Sequence, residues 1–246
     1  MASPELQALI WDIDGTVAET ERDGHRVAFN RAFEAAGLPW VWCVSHYGVL
    51  LQVAGGLERL LHDMAGREDA PPPGPQRDAL ARDLHRRKND FYVAWMAQGQ
   101  VQARPGVLRL MAECRGAGVR LAVATTSSGV NVQALLRNLL GTVWREHFDA
   151  IIAAEQASTK KPDPLVYRLA LQALQLAPRH ALAIEDSPAG LQAARAAGIA
   201  CGVTPGAYFG DADFSGAAWV RDTLDAPPPM TLSLLRLWHS ATIKAS

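Results

Sequence analysis

Residues 9 to 16 read Leu9-Ile10-Trp11-Asp12-Ile13-Asp14-Gly15-Thr16, an apolar run closed by two aspartates and a glycine turn. A short continuous apolar run bounded by a turn predicts a strand buried on both faces of a parallel sheet. The period then changes to that of a helix. Val27, Phe29, Phe33 and Ala36 fall along one face between Thr20 and Gly37, where Gly37-Leu38-Pro39 stops it. Further helices are expected at about 55–66 and 76–98, separated by the stiff breaker Ala70-Pro71-Pro72-Pro73-Gly74-Pro75. Arg82, Arg86, Arg87 and Lys88 on the second of these read as a solvated face.

From Arg104-Pro105-Gly106 onward, helices alternate with short apolar strands. Helix 106–117 leads to strand Val119–Ala124, helix 129–140 to Phe148–Ala153, helix 163–174 to Ala181–Ile184, and helix 188–197 to Ile199–Val203. A weak strand near Ala217–Val220, the breaker Pro227-Pro228-Pro229 and a terminal apolar helix follow. This alternation predicts an α/β fold with a doubly wound, Rossmann-like parallel sheet. The first strand belongs to that sheet, so a helical insertion follows it. The expected division is a core of residues 1–17 and 101–246 and a helical domain of residues 18–100.

Composition narrows the class. The chain has 246 residues, 49 % of them hydrophobic, and a formal net charge of −1, without the basic footprint of a nucleic-acid binder. Cys43, Cys114 and Cys201 are scattered and lack CxxC spacing, so they read as free thiols of a reducing compartment. No signal-like segment opens the chain, and no apolar run could span a bilayer. A soluble cytoplasmic protein is expected, monomeric or weakly oligomeric, with no membrane partner. Trp42, Tyr47 and the Leu232-Leu234-Leu235-Leu237-Trp238 stretch are expected mostly in the core.

The chemistry sits at strand ends. Asp12 and Asp14 would repel unless a cation or proton separated their charges. Three more polar clusters close later strands or open the helices after them: Thr125-Thr126-Ser127-Ser128, Lys160-Lys161-Pro162-Asp163-Pro164 and Glu185-Asp186-Ser187-Pro188. A doubly wound sheet gathers such edges into one crevice. Each cluster alone reads as a turn or helix cap; their conjunction points to phosphoryl transfer. A carboxylate can attack phosphorus to give an aspartyl phosphate, splitting one hard displacement into two easier ones. The Thr125 hydroxyl, the backbone N–H groups of Thr126 and Ser127, and the Lys161 ammonium can receive the phosphoryl charge. Mg2+ suits one or two carboxylates plus substrate oxygens, here Asp12 and Asp186 with the Asp14 carbonyl.

With these four clusters in this order, the chain resembles the haloacid dehalogenase-like hydrolases over nearly its whole length. Asp12-Ile13-Asp14-Gly15-Thr16 resembles their first motif, Thr125 their second, Lys161 their third and Glu185-Asp186 their fourth. The resemblance implies that Asp12 is the nucleophile. Asp14 then protonates the leaving oxygen and later activates water. Glu185 holds the metal or supports its shell.

The inserted helices resemble the small helical cap of that family. Residues 19–30, Trp40 to Leu51, Gly55-Gly56 with Glu58-Arg59, and Asp213-Phe214-Ser215-Gly216-Ala217 resemble the CbbY-type branch. That branch includes phosphatases of xylulose 1,5-bisphosphate, a misfire product that inhibits Rubisco in the Calvin cycle. A sugar bisphosphate substrate is therefore implied, read by Glu21, His25, Gly56 and Arg59 from the cap and by Thr126 and Ser127 from the core. Bland alternatives are a surface pair for Glu21 and His25 and an ion pair with Glu58 for Arg59. Leu57 stands where branch members commonly carry lysine. A β-phosphoglucomutase-like mutase is the alternative activity. Ser127-Ser128-Gly129, in place of the mutase Ser-Lys-Asn, leans toward hydrolysis. A silent sugar-phosphate-binding protein is a third reading.

Overall fold

In a computed structural model that describes residues 5–245, six strands form one parallel sheet in the order β3-β2-β1-β4-β5-β6. They are β1 (Ala8–Trp11), β2 (Arg120–Ala124), β3 (Ala150–Ile152), β4 (Ala181–Glu185), β5 (Ala200–Val203) and β6 (Trp219–Val220). The outermost residues of the expected core, 1–4 and 246, lie outside the described residues. The continuous apolar run of β1 is explained by its central place. Leu9 and Trp11 enter the core on one face of the sheet, and Ala8 and Ile10 enter the core on the other. Chain order reverses at β1, whose neighbours are β2 and β4, so Asp12 emerges at the crevice where strand order switches.

The helices after β2 are α6 (Gly129–Leu140), α7 (Leu165–Leu174), α8 (Pro188–Ala196) and α9 (Leu232–Ala245), with α5 (Val107–Gly116) before it. Between β1 and α5 lie four further helices: α1 (Arg26–Ala35), α2 (Val44–Leu50), α3 (Gly56–Ala65) and α4 (Pro75–Met96). These inserted helices have their own apolar cluster, in which Phe29, Phe33, Trp40, Trp42, Tyr47, Leu60, Met64 and Leu84 meet. The longest, α4, packs on α1 and α3 and also reaches α6 of the core.

Several details depart from the sequence pattern. The expected helix from Thr20 opens as a wide π-helical turn, Glu21–His25, in which the Gly24 and His25 N–H groups share the Thr20 carbonyl at 3.1 and 2.7 Å. Such widened turns change which residues share a helix face. Helix α2 is seven residues long, too short to register as a period. The third strand is only Ala150–Ile152; Phe148 and Ala153 are buried but make no ladder. The face read as solvated on α4 is solvated at Arg82 and Arg86, half-buried at Arg87, and buried at Lys88. Lys88 belongs to the inward stripe Ala81, Leu84, Lys88, Tyr92 and Met96, spaced by three or four residues.

Trp42 and Tyr47 are fully buried, as are Leu232 and Leu235, whereas Leu237 and Trp238 face outward. Cys114 and Cys201 are buried free thiols and Cys43 is an exposed one. Among the described residues, no helix is long and apolar enough to cross a membrane.

Trp42 holds the inserted helices together: its ring lies 4.6 Å from Phe29 and 5.0 Å from Phe33, and its Nε1 donates to Asp63 at 2.9 Å. Trp42→Ala should destabilise the protein by about 3–5 kcal/mol in urea unfolding. Val41→Ala, at the neighbouring 69 % exposed position, should stay within about 0.5 kcal/mol of the parent.

Candidate active site

The carboxyl edge of the sheet brings three carboxylates around one ammonium. Lys161, from the loop after β3, donates through Nζ to Asp12 Oδ1 and to Glu185 Oε1, both at 2.6 Å. The Tyr167 hydroxyl of α7 donates to the same Glu185 oxygen at 2.6 Å, and the Asp186 N–H approaches Glu185 Oε2 at 3.3 Å. Burial pushes the Asp12 carboxyl up to about 7 against the pull of Lys161, with repulsion from Glu185 and Asp14 adding to the rise. Burial also drives Asp186 well above the usual carboxylate range, helped by Asp12 and Glu185. For Lys161, burial works to lower the ammonium, but Asp12 and Glu185 outweigh it and hold the proton more firmly than usual.

The site has the chemistry of a cation pocket. Oxygens of Asp12, Glu185 and Asp186 lie within 4.8 Å of one another. Glu185 already has both oxygens engaged, whereas the Asp186 carboxylate accepts no hydrogen bond among the described residues. Two glycines make room for it. A Cβ on Gly15 would lie 2.0 Å from Asp186 Oδ2, and one on Gly206 would lie 2.3 Å away. Gly15 also takes φ of +87°, which favours glycine. A buried carboxylate without a protein donor, Asp186, crowded by Asp12, fits a hard divalent cation such as Mg2+.

Asp14 has the opposite environment. Its Oδ1 accepts from the Thr20 hydroxyl at 2.5 Å and contacts His25 Nε2 at 2.9 Å, while Oδ2 accepts from the Ser127 hydroxyl. Burial works to raise this carboxyl too, but His25, Ser127 and Thr20 together hold it well below the usual range. Two aspartates two residues apart are thus tuned in opposite directions. Environment separates them, as it does in acid–base pairs generally.

Thr125 is buried, and its Oγ1 accepts the Ser127 N–H at 3.2 Å, which turns that N–H toward Thr125 within the loop. Thr126 and Ser127 line the cavity above.

The cavity comprises two adjacent lobes of about 230 and 200 Å3, with Glu21, Gly55, Arg59, Thr126 and Ser127 in the walls of both. The first lies over Asp12, Asp14, Lys161 and Asp186. The second is walled by His25, Gly56, Leu57, His85, Lys88 and Lys160, with Glu58 and Glu155 on the same wall. Glu21 and His25 do not form a surface pair. His25 is buried, stacked on Tyr92 at 4.1 Å and turned to Asp14, and Glu21 accepts from the Tyr47 hydroxyl at 2.5 Å. Nor does Arg59 satisfy Glu58. It donates to the Leu50 carbonyl at 3.1 Å and the Tyr47 hydroxyl at 2.9 Å, and lies 4.0 Å from Glu21.

Sequence reasoning missed Lys88. Its ammonium sits over the Phe29 and Tyr92 rings at 5.1 and 5.4 Å, and among the described residues its hydrogen-bond partner is Asn89 Oδ1 at 3.5 Å. Burial lowers it to about 8 against the pull of Glu21 and Asp14. Burial, together with Lys88 and Lys160, holds His85 at about 4, so His85 is neutral near pH 7. The signal that could have found Lys88 was its place in the apolar stripe of α4. Tyr167 was missed for the opposite reason: nothing in its sequence neighbourhood distinguishes it from another core aromatic.

Comparison with known proteins identifies the family. The family model of the haloacid dehalogenase-like hydrolases matches residues 6–198. The chain is 44 % identical over 218 residues to protein CbbY of Cereibacter sphaeroides, covering 89 % of this chain and 92 % of that protein. It is 46 % identical over 222 residues to protein CbbY of Rhodobacter capsulatus, covering 90 % and 95 %. The crystal structure of a CbbY mutant from Rhodobacter sphaeroides in complex with xylulose-(1,5)bisphosphate superposes with a TM-score of 0.85 at 43 % identity, covering 92 % of this chain and 97 % of that one. The chain belongs to the haloacid dehalogenase-like hydrolases, in their CbbY-type branch, and is a phosphoric monoester hydrolase.

Proposed function

We propose that the protein is a Mg2+-dependent phosphatase of sugar bisphosphates, with xylulose 1,5-bisphosphate as its substrate. The observation that carries this reading is the two-lobed cavity, with Asp12 and Lys161 under one lobe and the buried, ion-unpaired Lys88 in the other. A bisphosphate has an anion for each. The complex of the Rhodobacter sphaeroides relative with xylulose-(1,5)bisphosphate supports the same substrate.

In this reading, residues 1–17 and 101–246 are the catalytic core and residues 18–100 its cap. Asp12 attacks phosphorus through the oxygen that Lys161 does not hold, and the phosphoryl group moves onto Asp12 as the sugar oxygen departs. Lys161, Thr125 and the backbone of Thr126 receive charge on the phosphoryl oxygens. Asp14 delivers a proton to the leaving oxygen and, once a carboxylate again, takes one from the water that opens the acyl phosphate. The donors around Asp14 favour the carboxylate, the form the second step needs, so the proton it delivers in the first step must be taken up against them. Asp12 and Asp186, with the Asp14 carbonyl, would hold Mg2+, and Glu185 would support them through Lys161. Bound there, the cation would offset the crowded negative charge and polarise the phosphoryl group.

Glu21, His25, Gly56 and Arg59 read the sugar from the cap side, and Ser127 meets it from the core. Lys88 and Lys160 receive the second phosphate in the lobe where Leu57 offers no charge. A lysine ammonium makes a strong charge-assisted contact with phosphate.

Two measurements test this reading. Asp12→Asn should keep the wild-type circular dichroism spectrum while release of inorganic phosphate falls by about a thousandfold or more. Near-wild-type activity would remove Asp12 as nucleophile, and an isomeric sugar phosphate in place of free phosphate would establish a mutase. Lys88→Met should raise KM for xylulose 1,5-bisphosphate by about tenfold or more, and KM for a pentulose monophosphate by less than about threefold. An equal rise for both substrates would place the second phosphate elsewhere.

A further inference from the structure

Arg104 stands where the chain returns from the inserted helices to the sheet, and no step above uses it. Its backbone N–H donates to the Val17 carbonyl at 2.8 Å, tying the returning segment to the outgoing one. Its side chain is 10 % exposed, and its guanidinium gathers four backbone carbonyls. Nη1 donates to Gly15 and, at 2.8 Å, to Thr204. Nη2 donates to Pro205 at 2.9 Å and to Asp222 at 3.0 Å. Nε faces Glu19 Oε1 at 3.5 Å, and the other Glu19 oxygen accepts the Ala207 N–H at 3.4 Å. A planar fork of five donors can serve so many acceptors from one point; an ammonium cannot.

These acceptors share a place. Gly15 and Gly206 are the two walls against the Asp186 carboxylate. The Gly15 carbonyl belongs to one wall, and the Thr204 and Pro205 carbonyls lead directly into the other. Gly206 closes the loop by donating its N–H to the Asp186 carbonyl at 3.1 Å. The same 204–208 segment reaches the inserted helices, where the Tyr208 ring packs 5.9 Å from Tyr47, the residue that holds Glu21 and Arg59.

We propose that Arg104 is a positioning residue that fixes both glycine walls of the Asp186 pocket, and so sets that carboxylate opposite Asp12. The inference rests on the reading of Asp186 as a cation ligand. Groups that orient a metal ligand typically alter affinity by about 10- to 100-fold when lost. Arg109 is the natural comparison. It ties the Leu224 and Met230 carbonyls and pairs with Asp225, but touches nothing beside Asp186.

The test is a calorimetric titration of the full chain with Mg2+ alone, for Arg104→Lys, Arg104→Met and Arg109→Met, alongside melting curves and phosphate-release kinetics. Arg104→Lys should bind Mg2+ about tenfold more weakly, with kcat reduced and KM within about twofold of wild type. Arg104→Met should lose more, and Arg109→Met should lower the melting midpoint while keeping wild-type Mg2+ affinity. Wild-type Mg2+ affinity in Arg104→Lys would overturn the proposal whatever the melting midpoint does. That variant carries the test if Arg104→Met fails to fold. A wild-type protein that binds Mg2+ but frees no phosphate would overturn the functional reading and leave the role of Arg104 to the calorimetry.

Discussion

The structure is organised around the crowding of Asp12, Glu185 and Asp186 about the single ammonium of Lys161. Three buried carboxylates with one buried cation leave an excess of negative charge, and such charge is costly unless it is neutralised. The fold meets this cost in two ways. Glu185 is satisfied outright by Lys161 and Tyr167. Asp12 and Asp186 are left short of partners and pushed toward protonation, so a divalent cation between them would relieve the strain. The central position of β1 between β2 and β4 makes the crowding possible, because it brings loops from three strands to one point.

The same principle separates Asp12 from Asp14. They share a strand end, a charge and a burial, so nothing intrinsic distinguishes them. The difference comes from partners far away in sequence. Lys161 and Glu185 surround Asp12, whereas Thr20, His25 and Ser127 surround Asp14. Two of the Asp14 donors come from the start of the inserted helices. The wide turn at Glu21–His25 matters here, since it carries His25 inward onto Tyr92 and Asp14. The environment of Asp14 at the sheet edge is therefore tied to where the inserted helices begin.

Much of this was legible in the sequence because its signals are local. The apolar run into Asp12, the alternation of helix and strand after Arg104, and the polar clusters at the strand ends all follow from short-range pattern. The joining of four clusters at one crevice followed from the topology of doubly wound sheets. What escaped notice depends on packing. A seven-residue helix such as α2 has too few turns to show a period. Lys88 was read as solvated because three arginine or lysine neighbours surround it in sequence, yet the stripe of Leu84 and Tyr92 draws it inside. Arg104 sits beside Pro105 and Gly106, where a basic residue reads as part of a turn, and its carbonyl acceptors lie about ninety to one hundred and twenty residues away.

Lys88 bears most directly on the substrate. A buried lysine is normally paired or snorkels to water. This one has two aromatic rings and a weak amide contact around it, and the more distant pull of Glu21 and Asp14 does not offset its burial. An apolar side chain of similar length would fill the same space between Phe29 and Tyr92 without the desolvation cost. The cation is thus a burden on the free protein. It gains further when an anion enters the lobe it faces, where Lys160 adds a second positive charge. Binding an anion there repays an electrostatic cost built into the fold. The two ends of the cavity then make matching demands: the sheet edge calls for a cation among its carboxylates, and the cap calls for an anion beside its lysine. The proposed substrate, a phosphorylated sugar with a second phosphate bound beside Mg2+, would satisfy both.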